Sequence, residues 1–450
     1  MKLKLPDNSP LMARDFLFGA ATASFQIEGG AEEDGRCPSI WDRFCDRAGA
    51  IKDGSTGKTA CDHYRLWQRD IELIAGLNFD AYRFSLSWPR IVGDTKGTVN
   101  QAGLDFYKRI VETLRQRGIK PFVTLYHWDL PQYWADRGGW LNREVAYAFA
   151  EYADVVSRTF GNDIEAYATL NEPWCSAFLG YDLGIHAPGY KDRRMAFQAS
   201  HHLLLAHGLA MPVLKENAPG AKHGIVLNFT PAYPFTSSHA DSLAAELSDA
   251  ETGHWFLQPL MERSYPRTVL HAYRQEAPLI LPGDMESIGV PIDYLGVNYY
   301  TRSIVSAEPA GPKPYYKTAP PAEAKKTAMG WDIYPDALTR LLKQLHAIYR
   351  LPPIYITENG AAFEDVPVEG RIEDGERIAY FQDHLDAVHR TMESGVDIRG
   401  YFAWSLLDNF EWAEGYTKRF GLVYVDYESQ KRVVKESGKA FQKLLASRLS

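Results

Sequence analysis

Along the chain, short runs of β-branched and aromatic residues alternate with longer stretches in which apolar residues recur every three or four positions. This is the pattern of repeated strand–helix units that feed a parallel sheet. Eight strand-like runs stand out, near 16–23, 81–88, 120–128, 165–172, 222–230, 294–300, 353–359 and 399–408. Helical periodicity marks 64–76, 102–117, 143–159, 196–216, 336–349 and 376–394. In 102–117, Leu104, Ile110, Val111 and Leu114 share one side while Lys108, Glu112 and Arg115 fall elsewhere, as on a helix packed against a sheet. No repeat of 20–50 residues indicates a solenoid. Eight strands in this alternation predict an α/β fold, a single (β/α)8 TIM barrel over 1–450 with long βα loops above its carboxyl-end face.

Three of those loops are expected near 29–62, 173–195 and 360–375. A Pro-rich stretch at 307–321, with Pro309, Pro312, Pro314, Pro320 and Pro321, reads on its own as an interdomain linker. Its place between the sixth and seventh strands makes it a further βα loop over the same face, where barrel enzymes build their sites.

Composition narrows the function classes. With 45% hydrophobic and 24% charged residues, the chain can bury a large core. Its 49 basic and 57 acidic residues leave a net charge of −8 without a basic run, which argues against a nucleic-acid partner. No stretch reaches the ~20 apolar residues of a membrane span, and Met1 to Arg14 lacks a signal-peptide core. The expectation is a soluble, cytoplasmic protein. Cys37, Cys45, Cys61 and Cys175 show no CxxC spacing and are read as reduced thiols acting as small apolar residues. His201, His202 and His207 cluster without acidic or cysteine ligands at a recognised spacing, so no metal is expected. Aromatic residues make up 13% of the chain, which suits a surface that stacks on the apolar faces of sugars.

The strand ends carry the chemistry. The fourth finishes Thr169-Leu170-Asn171-Glu172-Pro173 and the seventh Ile356-Thr357-Glu358-Asn359-Gly360, so each delivers one carboxylate to the rim. Cleaving a glycosidic bond needs such a pair. One carboxylic acid protonates the leaving oxygen, and the other attacks the anomeric carbon or activates water.

These segments resemble glycoside hydrolase family 1, the β-glucosidase family, from Phe16 to about Asp426. The motifs are FLFGAATASFQIEGG at 16–30, YRFSLSWPRI at 82–91, TLYHWDLPQ at 124–132, TLNEPW at 169–174, GVNYY at 296–300, YITENG at 355–360 and WSLLDNFEW at 404–412. The resemblance implies a retaining β-glycosidase, with Glu172 as acid/base, Glu358 as nucleophile, and Arg83 and Tyr300 as partners of that nucleophile. For the sugar pocket it implies Gln26, His127, Trp128, Asn171, Asn298, Trp404, Glu411, Trp412 and Phe420. Trp331, with Trp174, Leu179, His186 and Asn228, is placed on the leaving-group side by position on the rim loops. The substrates implied are β-glucosides and short β-linked oligosaccharides, with galactosides and fucosides also open and no cofactor; a homo-oligomer is left open.

Physical reasoning adds conditions. An acid/base must hold its proton at working pH, so Glu172 should have a raised pKa, which the like charge of Glu358 would provide. Asn298 and Tyr300 stand two apart and point the same way. Asn171 and Glu172 are adjacent, so a bulge is required if both face the sugar. The family further implies a cis peptide between Trp404 and Ser405.

Three alternatives stay open at this stage. A phospho-glycosidase of the same family would carry a Ser and basic residues where this chain has Asn409-Phe410-Glu411-Trp412, and a carboxylate there would repel phosphate. A transglycosidase would keep every catalytic residue. A non-catalytic sugar-binding barrel would lose one of the two carboxylates, and both are present.

Overall fold

The computed structural model describes residues 2–94, 96–308 and 315–448. Eight strands build its centre: β1 (Leu17–Ala21), β2 (Ala81–Ser85), β3 (Lys120–Tyr126), β4 (Ala166–Asn171), β5 (Lys222–Phe229), β6 (Tyr294–Tyr299), β7 (Ile354–Asn359) and β8 (Ile398–Trp404). They close into a barrel in chain order, each parallel to both neighbours, with β8 returning to β1. This is the TIM barrel that the alternation predicts. Every expected strand is present, trimmed by up to four residues at an end, except that β8 begins one residue earlier, at Ile398.

The strands are buried on both faces, as parallel strands covered by helices must be. Inside, Phe122, Tyr294, Tyr355 and Phe402 fill the lumen between small residues at Ala81, Ala166 and Ala168. The Phe122 and Phe402 ring centroids lie 4.9 Å apart. Gly19 on β1 belongs to this alternation of large and small, because a Cβ there would stand 2.3 Å from the Phe402 ring.

Outside run the helices α1 (His63–Gly76), α2 (Gln101–Gln116), α3 (Glu144–Phe160), α4 (Arg193–Asn217), α5 (Pro335–Ile348), α6 (Gly375–Glu393) and α7 (Glu436–Ser447). α2 buries Leu104, Phe106, Tyr107, Ile110, Val111 and Leu114 and turns Glu112 and Arg115 to solvent. α4 starts where the Asp192 carboxylate accepts from Arg194 N at 2.9 Å and Met195 N at 3.4 Å, a side-chain cap for otherwise unpaired amides.

The region expected as a plain Pro-rich loop is partly strand. Pro309, Pro312 and Pro314 lie outside the described residues, but Ser303–Ser306 and Tyr316–Thr318 pair antiparallel, and the former also pairs with Ala232–Pro234. Runs of three or four residues are too short to show a period.

One buried charge network fastens the carboxyl-end loops. Lys435, just before α7, donates Nζ to Asp365 and to Asp408, at 2.5 and 2.6 Å. Arg377 on α6 reaches Asp365 and Asp374, at 2.8 and 2.5 Å, and Arg419 reaches Asp408 at 2.7 Å. Arg377 also donates to the carbonyls of Ala361 and Arg419. The loop after β7 and the loop after β8 are thereby tied to each other and to the start of α7.

Candidate active site

The residues given catalytic roles and sugar-pocket places from the sequence, together with Trp331, join one connected set at the carboxyl end of the barrel. Its middle is Arg83 on β2, 2% exposed. Its Nη1 donates to Glu358 Oε1 at 2.7 Å and its Nη2 to Asn171 Oδ1 at 2.7 Å. Tyr300, just past β6, donates its hydroxyl to the other Glu358 oxygen at 2.5 Å. The Glu358 carboxyl thus accepts from a guanidinium on one oxygen and from a phenol on the other.

Arg83 can only donate, and this sets the sense of every bond beyond it. Asn171 Oδ1 must face Arg83, so Asn171 Nδ2 faces His127 Nε2 at 3.0 Å. The His127 proton then sits on Nδ1. Asn298 Nδ2 donates to Asn171 Oδ1 at 3.1 Å and to Glu172 Oε1 at 2.7 Å, while Asn298 Oδ1 accepts from Thr357 Oγ1 at 2.7 Å. Burial, and then the Arg83 charge, hold His127 well below its ordinary 6.5, so the ring is neutral.

Asn171 and Glu172 do both turn toward Asn298. The pairing of β4 with β5 shifts register between Ala168 and Asn171, and Glu172 adopts φ +46°, which breaks the alternation that would have parted them. A left-handed backbone at a residue with a Cβ costs of order 1–2 kcal/mol. Trp128 (φ +83°) and Trp412 (φ +49°) carry the same conformation in the same pocket, a concentration typical of working sites.

The aromatic wall is continuous. Trp128 and Trp412 ring centroids lie 4.5 Å apart, and His127 stacks between Trp404 and Trp412 at 5.9 Å from each. Across the mouth, Tyr300, Trp331 and Phe420 meet at 5.5–6.2 Å. The peptide between Trp404 and Ser405 is cis. Gly360 follows the Glu358 strand so closely under Trp404 that a Cβ would lie 1.8 Å from the Trp404 carbonyl oxygen. Gln26 Nε2 reaches Asn409 Oδ1 at 3.0 Å, the Phe410 carbonyl at 2.8 Å and Glu411 at 3.5 Å. Among the described residues, Gln26 Oε1, His127 Nδ1 and Arg83 Nε are buried without a protein partner, as suits a pocket built for a polar guest.

Burial acts on Glu172 and Glu411. Burial first, and the Glu358 charge second, push Glu172 up to about 7, against hydrogen bonds from Asn298 and Cys175. The order differs from the sequence expectation, in which the like charge alone was invoked, because Glu172 is only 6% exposed. Burial, then Glu358 and Glu172, push Glu411 up to about 8. Burial and the two neighbouring glutamates thus disfavour, at this position, the carboxylate that would repel a phosphate.

Several contacts were not anticipated. Cys175 is more than a small apolar residue, since its thiol donates to Glu172 Oε2 at 3.1 Å. Thr357 and Asn409 orient Asn298 and Gln26. Among the rim candidates, His186 joins the wall 5.5 Å from Trp128, Trp174 stacks on Phe178 at 6.0 Å, Asn228 sits in register with Asn298, and Leu179 packs against the outer core. The clustered histidines serve other partners: His201 meets Asp284 and Tyr265, His202 the Trp140 carbonyl, and His207 Thr169. No helix among the described residues is long and apolar enough to cross a membrane.

Comparison with known proteins agrees with this geometry. β-Glucosidase A of Thermotoga maritima is 47% identical over 425 residues, 94% of this chain and 95% of its own length. The bifunctional β-D-glucosidase/β-D-fucosidase of Bifidobacterium breve is 44% identical over 458 residues, covering 97% of this chain and 98% of its own. Among solved structures, the AHE enzyme from Alicyclobacillus herbarius superposes with a TM-score of 0.95 at 49% identity, covering 100% of this chain and 99% of its own. The Thermotoga maritima family 1 glycoside hydrolase complexed with a cyclophellitol analogue transition state mimic gives 0.94 at 46%, covering 97% and 98%. The family model described as glycosyl hydrolase family 1 matches residues 9–449, and the chain belongs to that family.

Proposed function

We propose that this protein removes terminal β-D-glucosyl residues from β-glucosides and short β-linked oligosaccharides by double displacement, with Glu358 as nucleophile and Glu172 as acid/base. It is a β-glucosidase of family 1, and the Bifidobacterium breve relative makes β-D-fucosides a second substrate class to test. The observation that carries the assignment of roles is the contrast between the two carboxyl groups. Glu358 is held by a guanidinium and a phenol, whereas Glu172 is held by an amide and a thiol and is pushed up to about 7. Environments that separate two carboxyl groups in this way mark the acid and the nucleophile.

In the first step a Glu358 oxygen bonds to the anomeric carbon as the bond to the leaving oxygen breaks, and the Glu172 proton passes to that oxygen. In the second step the Glu172 carboxylate takes a proton from water, the water oxygen bonds to the anomeric carbon, and Glu358 is released. Two inversions retain the β configuration, and the net change is addition of one water.

The test uses two variants. Glu358→Ala should lose several orders of magnitude with every leaving group, and azide should then yield the α-glycosyl azide. Glu172→Ala should still cleave activated aryl glucosides, accumulate the glycosyl-enzyme and yield the β-azide, while losing far more on poor leaving groups. The same azide configuration from both variants would overturn the assignment.

A further inference from the structure

Glu172 is followed immediately by an unusual piece of backbone. Cys175–Asp182 forms a π-helix, and Cys175 N donates to the Glu172 carbonyl at 2.9 Å. The same residue turns its side chain back, so that Sγ lies 3.1 Å from Glu172 Oε2. Asn298 Nδ2 occupies the other oxygen at 2.7 Å. The carboxyl of the acid/base is therefore bracketed by one strong donor, an amide, and one weak donor, a thiol.

We propose that Cys175 is a positioning residue for the general acid: its thiol fixes the rotation of the Glu172 carboxyl while donating too weakly to stabilise the carboxylate and strip the acid of its proton. This rests on the reading of Glu172 as acid/base. A hydroxyl in the same place would donate strongly to the ionised form and draw Glu172 toward the ordinary carboxylate range, where it could not protonate a leaving group at neutral pH. A methyl group would leave Oε2 without its protein donor and push the acid higher. Burial keeps the Cys175 thiol well above its ordinary 9.0, with Glu172 adding to the effect. The thiol thus keeps its own proton throughout, and only the Glu172 proton moves, to the leaving oxygen and back from water.

The other titratable or charged groups around Glu172 are Glu358 on β7, Arg83 on β2, Tyr300 after β6, His127 after β3 and Glu411 after β8. None is altered in the test, so a shift in the profile reports the donor at position 175. Burial and then Glu358 raise the acid's pKa, and the free enzyme's kcat/KM must fall as pH rises through about 7.

The experiment is the pH dependence of kcat/KM for an alkyl and an activated aryl β-glucoside in the unaltered enzyme, Cys175→Ser, Cys175→Ala and Glu172→Ala. Cys175→Ser should move the alkaline limb down by roughly half a pH unit and Cys175→Ala up by a similar amount. The alkyl glucoside should lose more than the aryl in Cys175→Ser. Thermal unfolding of each variant separates these shifts from misfolding, which would lower amplitude without moving the limb. If the limb vanishes in Glu172→Ala while both Cys175 profiles superimpose on the unaltered enzyme, or move in the same direction, the inference about Cys175 fails. If the limb survives in Glu172→Ala, the reading of Glu172 itself fails.

Discussion

Lys435→Met is the sharpest test of how the site is held, because it removes a charge and leaves its partners inside. Lys435 is fully buried, and its two carboxylate partners, Asp365 and Asp408, have side chains no more than 2% exposed. The network balances three cations, Arg377, Arg419 and Lys435, against three anions, Asp365, Asp374 and Asp408. Methionine has similar length and no charge, so the variant carries one uncompensated buried negative charge, at a cost of about 3–5 kcal/mol. At about 2.1 cal/mol/K per residue, the 450-residue chain has an unfolding entropy of roughly 0.9 kcal/mol/K, so Tm should fall by about 3–5 °C. Adding Asp365→Asn removes the surplus charge and should restore part of the loss.

The pH dependence has a definite sign. Burial pushes Asp365 up, but Lys435 and then Arg377 outweigh it and hold the carboxyl below 3.8. Its contribution to stability is therefore present above about 3.8 and is lost as pH falls through the lowered value. Without Lys435 the deficit should be full at neutral pH and shrink toward pH 4, where a proton can replace the missing cation. Calorimetry at pH 7 and pH 4.5 on the unaltered protein and the two variants checks this. A Tm for Lys435→Met within 1 °C of the unaltered protein at pH 7, or a double variant less stable than the single one, would refute the account.

Two further outcomes follow from single contacts. Tyr300→Phe deletes the 2.5 Å donor to Glu358 and leaves the Tyr300 carbonyl's bond from Tyr380 intact; kcat/KM should drop roughly 10- to 100-fold with Tm unchanged, since a hydrogen bond to a charged group is worth about 1.5–3 kcal/mol. A loss below about 3-fold in steady-state assays would show that this bond does not serve the reaction. If the Glu411 side chain reads the outer hydroxyls, as the family motif implies, Glu411→Gln should cost aryl β-glucosides roughly 10- to 100-fold and the 6-deoxy-β-glucoside markedly less; equal losses on both substrates would remove it from that role.

How far the sequence could be read depended on distance along the chain. The end of β4 announced a carboxylate through Asn171-Glu172-Pro173, yet alternation alone cannot show a register shift, which arises where Ala168 and Asn171 meet β5. Cys175 was invisible for another reason. A cysteine three residues past a glutamate suggests no contact until the tight turn from Glu172, whose carbonyl accepts from Cys175 N, brings thiol and carboxyl within 3.1 Å. The charge network is illegible because Lys435 finds Asp408 and Asp365 from 27 and 70 residues away, and no spacing rule spans such gaps. By contrast Tyr300 and Glu358 sit at or next to the ends of the neighbouring strands β6 and β7, so counting strands places them side by side, while Arg83, inside β2 and away from both, was legible only through the family motif.

The donor-only guanidinium of Arg83 has one more effect. Because it fixes which end of Asn171, and through it of Asn298 and His127, faces each neighbour, the pocket presents a preset template of hydrogen-bond polarity. A hydroxyl seated against His127 Nδ1 finds a donor, and one seated against Gln26 Oε1 finds an acceptor. No amide has to flip when a sugar arrives, so little reorganisation opposes the reaction. Fluorine, which can accept but not donate, would make that template readable one position at a time: tolerated beside the imidazole proton, rejected beside the amide oxygen.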